Sequence, residues 1–111
     1  MVRQVVWSDQ ALADLANIKS HIELQSPGNA REVVDRIAVE GDKLGDYPHA
    51  ARQVPELHDP DRREKIVFKW RVIFRVEPNQ VRILRIVHGA RPLHKIPGSF
   101  EETEQEAYLT P

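Results

Sequence analysis

Arg71, Arg75, Arg82 and Arg91 recur along one stretch of the chain, with Lys65 and the histidines His88 and His94 among them. Guanidinium groups at this density suit a surface that meets an anion. His88 and His94 flank Arg91, and imidazole titrates near neutrality, so either is a candidate proton carrier. A histidine that closes a strand is also an ordinary capping or packing residue, and that alternative stays open. His21, His49 and His58 show no metal-ligand spacing. No glycine-rich phosphate loop, nucleophile elbow or paired-carboxylate motif occurs. No metal and no cofactor is expected.

The charge is unevenly spread. Residues 62–95 hold ten Lys or Arg against Glu64 and Glu77, whereas the other 77 residues hold six basic and 15 acidic side chains. A near-neutral total therefore hides a block of about +8 against a remainder of about −9, which reads as a cationic working surface on an acidic scaffold. One domain is expected at 111 residues, large enough for a core without staples. The absence of cysteine removes disulfides, thiolate nucleophiles and cysteine-ligated metals. Met1 to Trp7 is too short and polar for a signal peptide. No apolar run approaches the roughly 20 residues of a membrane helix. A cytoplasmic protein with no membrane association is expected.

The elements that must position these cations follow from spacing. Val5, Val6 and Trp7 predict a strand over residues 4–7. Ser8 is a suitable N-cap, and Ala11, Leu12, Leu15, Ile18 and Ile22 form one apolar helix stripe. Ser26-Pro27-Gly28 interrupts it and starts a second helix with the stripe Ala30, Val33, Val34, Ile37, Gly41 and Leu44. So short a turn makes an antiparallel helical hairpin. Gly41 costs about 1 kcal/mol inside a helix, and a close helix–sheet approach is one reason to keep it. Residues 45–63 read as a polar loop. Strands are predicted over 65–68, 70–76 and 80–87, the last two joined by Pro78-Asn79. A two-residue loop sets Val76, Phe74, Val72 and Trp70 opposite Val81, Ile83, Arg85 and Val87. It sets Arg71, Ile73 and Arg75 opposite Ile86, Leu84 and Arg82 on the other face. Opposed Arg75 and Arg82 disfavour the sheet unless they meet an anion or splay into water. Residues 94–111 differ in composition. Glu101, Glu102, Glu104 and Glu106 make them acidic, and Ser99-Phe100-Glu101-Glu102 fits a capping box. This segment is a short helix or disordered.

The ordered set resembles the RelE/ParE toxin superfamily of type II toxin–antitoxin and plasmid-stabilisation modules. Trp7-Ser8 with Ala11 and Leu15 carry the resemblance at the start. Trp70-Arg71-Val72-Ile73-Phe74-Arg75-Val76 and Val81-Arg82-Ile83-Leu84-Arg85-Ile86-Val87-His88-Gly89-Ala90-Arg91 carry it downstream, and the last run looks like the ParE-type ending. The resemblance implies an α+β fold: an N-terminal strand, the helical hairpin, then a three-stranded antiparallel meander packed on the helices. It implies a toxin domain over 1–93 and leaves 94–111 as an acidic extension.

Two chemistries follow from the resemblance. RelE-like members cut messenger RNA on the ribosome, which needs phosphate-neutralising cations and groups that move protons. Here Lys65, Arg71, His88 and Arg91 would form that set, although Pro97 stands where the RelE tyrosine is expected. ParE-like members act by binding DNA gyrase. This sequence departs in the ParE direction, which makes a gyrase-binding toxin without enzymatic activity the leading reading. Arg71, Arg75, Arg82 and Arg91 would then contact the target. The alternatives are a ribosome-dependent endonuclease, with ribosome and messenger RNA as partners, and a nontoxic antitoxin-binding module. All three imply a cognate antitoxin, itself expected to carry a DNA-binding domain, in a hetero-oligomer. Ile73, Leu84 and Ile86, expected to be exposed on the second sheet face, would receive it.

Overall fold

A computed structural model describes residues 2–89, 91 and 93 of the chain. Strand β1 (Gln4–Trp7) leads into helix α1 (Asp9–Gln25), and α2 (Pro27–Asp42) folds back against it. Two short 3-10 turns, Lys43–Gly45 and Pro48–Ala50, precede β2 (Arg52–Gln53). The meander follows as β3 (Arg62–Val67), β4 (Trp70–Val76) and β5 (Gln80–His88). The sheet order is β1-β5-β4-β3-β2, with β1 parallel to β5 and the other pairs antiparallel. The α+β architecture expected from the sequence is therefore present, with two additions. β3 begins three residues earlier than its composition suggested, and β2, inside the expected polar loop, pairs with it.

Both helix stripes find the sheet. Ala11, Ile18, Val33 and Ile37 form one core with Val72, Phe74, Val76, Val81 and Ile83, and Leu15, Ile22 and Val34 pack at its margin. Leu12, counted in the first stripe, is instead 51% exposed. Ser8 caps α1 by accepting from the Ala11 amide at 3.0 Å. Gly41 marks a close helix–sheet approach: a Cβ there would stand 2.5 Å from Trp7 Cζ2.

The Pro78-Asn79 loop sets Glu77 opposite Gln80, as expected, with the Glu77 amide donating to the Gln80 carbonyl at 2.8 Å. Arg75 then opposes Arg82, and Phe74 opposes Ile83. Beyond that point the expected register fails. A β-bulge lies next to Phe74: Ile73 pairs with Arg85, and Leu84 is the extra residue. Val72 therefore meets Ile86, Arg71 meets Val87, and Trp70 meets His88. One inserted residue moves every later side chain of β5 to the opposite face. Ser8 holds the irregularity in place. Its amide donates to the Ile83 carbonyl and its hydroxyl to the Leu84 carbonyl, both at 2.9 Å, so a β5 edge left by the end of β1 is still satisfied.

The second face is not open. Val54 and Leu57, from the segment after β2, lie over Ile73, Leu84 and Val87, and Leu93 closes the same cluster. The sheet thus has two cores, a large one under the helices and a small one under this strap.

Candidate functional site

The strap decides what the arginines can do. Arg71 projects to its side of the sheet, level with Ile66 and Val87. Its Nη1 and Nη2 donate to the two Glu56 carboxylate oxygens at 2.9 and 2.8 Å. Its Nε donates to Glu64 Oε1 at 2.8 Å, and Nη2 reaches the same oxygen. Arg52 pairs with the other Glu64 oxygen. Arg71 is only 5% exposed and Glu64 2%. Hydrogen bonding to Glu56 raises the Arg71 pKa further above its ordinary value, against the effect of burial, and the same bonds hold the Glu56 carboxyl below its usual range. Arg71, expected at a target-binding surface, is thus corrected to an internal clamp. Glu56 fixes the strap to β4, and Glu64 takes Nε and shares Nη2.

The other expected nuclease residues separate. Lys65 pairs with Val72 and so faces the helices, where its Nζ stands 3.3 Å from Glu40 Oε2 of α2. The hydrogen bond from Lys65 lowers the Glu40 pKa. His88 also faces the helix side, edge-on to the Trp70 ring at 5.4 Å, and lines a concavity of about 370 Å³ with His21 and Trp70. Arg91 is exposed beyond the end of β5, its amide bonded to the His88 carbonyl at 3.0 Å. Lys65 and His88 are therefore on one side of the sheet and Arg71 on the other. His94 and the acidic extension 94–111, expected to be a short helix or disordered, lie outside the described residues.

The row on the strap side, Arg62–Arg75–Arg82, crosses β3, β4 and β5. Arg62 is buried and paired with Asp59. The Arg75 and Arg82 side chains keep 35% and 45% of their exposure, with Glu77 near both, at 4.0 and 3.8 Å. This pair and the exposed Arg91 are the parts of the expected cationic surface that remain accessible. Arg91 lies past the opposite end of β5, apart from the pair.

The expected antitoxin surface is also corrected. Ile73, Leu84 and Ile86 are 0%, 4% and 3% exposed. The strap seals the first two, and the bulge turns Ile86 into the helix-side core. Exposed apolar groups gather elsewhere. β2 pairs only with Arg63 and Glu64, so the outer edge of β3 from Lys65 onward has no strand beside it among the described residues. Ile66 and Phe68 are 49% and 58% exposed there. Phe68 takes φ 55, a left-handed conformation uncommon for a bulky side chain. It lines a groove with Val39 and Arg36 of α2. Sequence reasoning missed this edge and the four carboxylates Asp14, Glu40, Glu56 and Glu64. A longer β3 with a two-residue turn at Phe68-Lys69 was the available signal for Glu64.

A profile of the family described as the ParE toxin of type II toxin–antitoxin system, parDE, matches residues 5–93. Toxin RelE2 of Caulobacter vibrioides is 38% identical over 89 residues, which span 79% of this chain and 97% of that toxin. Among solved structures, a chain of the chromosomal ParDE toxin–antitoxin system from P. aeruginosa matches with a TM-score of 0.68 at 24% identity, over 78% of this chain and 96% of that one. A chain of the toxin–antitoxin complex RelBE2 from Mycobacterium tuberculosis matches with a TM-score of 0.50 at 18% identity, over 79% and 99%. The two structural likenesses are likenesses of fold.

Proposed function

The chain belongs to the ParE toxin family of type II toxin–antitoxin systems, and on that footing we propose that it inhibits growth by binding DNA gyrase rather than by cutting messenger RNA. The observation that supports binding over cleavage is the dispersal of the nuclease set. RNA cleavage needs a cation on the phosphate and proton carriers within reach of the same phosphodiester. Lys65 and His88 face α1 and α2, while the Arg71 guanidinium is enclosed on the far side by Glu56 and Glu64. A phosphate approaching Arg71 would have to displace two carboxylates.

Arg75 and Arg82 are the residues we assign to target contact, with Arg91 as a separate exposed cation. A cognate antitoxin is the second partner. The surface we assign to it is the uncovered edge of β3 with Ile66, Phe68 and Val39, where an added strand or an amphipathic helix would bury apolar area. A cytoplasmic site of action follows from those partners, and no helix among the described residues is long and apolar enough to cross a membrane.

The test uses purified protein in two assays. Gyrase supercoiling is expected to be inhibited, and ribosome-bound message is expected to stay intact. Lys65→Ala, His88→Ala and His94→Ala are each expected to keep growth inhibition within a few fold, whereas a nuclease loses about a hundred-fold or more per proton-transfer group. Codon-phased cleavage abolished by His88→Ala would move the chain to the ribosome-dependent branch. No growth effect at all would leave an antitoxin-binding module.

A further inference from the structure

The Arg75–Arg82 surface carries more cation than its own neighbours neutralise. Arg3 joins it, its Nε donating to the Glu77 carbonyl at 3.1 Å. Two guanidinium groups thus share the single carboxylate of Glu77, and a third is held at its backbone carbonyl. Arginines opposed across a ladder repel each other, so an anion brought to this row relieves a strain that the fold already contains.

The last described residue, Leu93, lies on the same sheet face as this row. Leu93 is buried in one cluster with Ile73, Leu84, Val87 and Val54. Arg75 lies two residues along β4 from Ile73, and Arg82 two residues along β5 from Leu84, about 7 Å in each case. The family match ends at residue 93. The sequence that follows contains Glu101, Glu102, Glu104 and Glu106, and no Lys or Arg after Lys95. Seven residues lie between Leu93 and Glu101, a reach of up to about 26 Å. A tether this short gives an effective concentration on the order of millimolar, so weak charge pairing is sufficient.

We propose that the acidic run Glu101–Glu106 docks in cis on Arg75, Arg82 and Arg3 and competes there with the target. The docking stands on charge and position alone. The competition rests on the reading of this surface as target-binding.

The chain has no cysteine, so Thr103→Cys gives one attachment point for a nitroxide in the full-length protein. Amide signals of Arg75, Val76, Val81 and Arg82 are expected to broaden. They are expected to recover in about 1 M salt, where the Debye length is about 3 Å, and in a Glu101→Gln, Glu102→Gln, Glu104→Gln, Glu106→Gln variant. Mixing spin-labelled unenriched protein with unlabelled 15N protein separates the two geometries, because only docking between copies broadens the 15N partner. Absent broadening, broadening indifferent to the four substitutions, or broadening only between copies would overturn the docking. In a supercoiling assay the four-fold variant is expected to inhibit gyrase several-fold more strongly than the wild type. Equal inhibition overturns the competition alone. If neither protein inhibits gyrase, the functional reading and the competition fall, while the docking is still judged by the relaxation data.

Discussion

Arg71 and Arg75 are four residues apart in one strand and have opposite fates. Arg71 holds Glu64 and Glu56 under the strap, and Arg75 faces water beside Arg82. Their substitutions should therefore separate. Arg71→Ala leaves the buried Glu64 with Arg52 alone and frees Glu56. A cost of about 3 kcal/mol is expected, the lower end for a broken buried pair because one partner survives. Arg75→Ala with Arg82→Ala removes exposed like charges and is expected to change stability by less than about 1 kcal/mol. Urea melts of the two variants decide the matter, and a double variant that melts as low as Arg71→Ala would refute a surface role. The strap has a pH signature as well. The folded-state pKa of Glu56 is lowered, chiefly by the hydrogen bonds from Arg71. Its contribution is thus present above the unfolded value of about 4.3 and is lost as pH falls through the lower folded value. The stability gap between wild type and Glu56→Gln should be open at pH 7 and close progressively below about pH 5. A gap that does not narrow would mean that the clamp is not ionic. The sequence made Arg71 and Arg75 look alike because a strand's alternation gives direction but not cover. Only the path of residues 54–61 tells which of them is enclosed.

At the scale of elements, periodicity carried most of the information. Two apolar stripes with Ser8 and Pro27 at their starts specify the helices, and Pro78-Asn79 specifies the last hairpin. The bulge left no such mark. No glycine stands in β5, and Leu84 has the same composition as its neighbours, so the expected register ran straight through it. The bulge is held by a contact 76 residues away in sequence, between the Ser8 hydroxyl and the Leu84 carbonyl. Asp14 then receives the Ile86 amide at 2.9 Å and ion-pairs with Arg85. The turn after α2 offers a sharper test. A Cβ on Gly45 would stand 2.0 Å from the Arg3 carbonyl oxygen, and the Arg3 amide donates to the Gly45 carbonyl at 2.9 Å. Backbone meets backbone there, so relief requires β1 to move. Gly45→Ala is expected to cost about 1–3 kcal/mol. Gly41→Ala meets a Trp7 ring instead, which can tilt, and regains about 1 kcal/mol of helix propensity. It should be the milder of the two in thermal melts. The reverse order would show that the β1 junction yields more readily than the Trp7 contact.

For the molecule as a whole, the charge asymmetry read from the sequence has a different meaning once folded. Four of the ten cations of the basic block are paired within the protein. Arg62 pairs with Asp59, Lys65 with Glu40, Arg71 with Glu56 and Glu64, and Arg85 with Asp14. The carboxylates of the supposed acidic scaffold are thus the internal counterions of the meander, and they tie α1, α2 and the strap to it. Linear charge counting could not see this, because every one of these pairs except Arg62–Asp59 and Arg71–Glu64 spans more than a dozen residues. What remains for an outside partner includes a compact patch around Arg75 and Arg82, with Lys69 and Arg91 exposed elsewhere. The proposed protein-binding role carries an expectation for nucleic acid. Each phosphate neutralised on duplex DNA adds about 0.9 to the magnitude of the slope of log binding constant against log salt. A patch of two or three available cations allows a slope of no more than about 3, and nonspecific affinity in the weak, high-micromolar range at physiological salt. Fluorescence anisotropy of a labelled duplex, titrated with the protein at several salt concentrations, measures that slope directly. A magnitude of about 6 or more would mean that cations well beyond this patch are recruited to phosphate and that nucleic acid returns as the primary ligand.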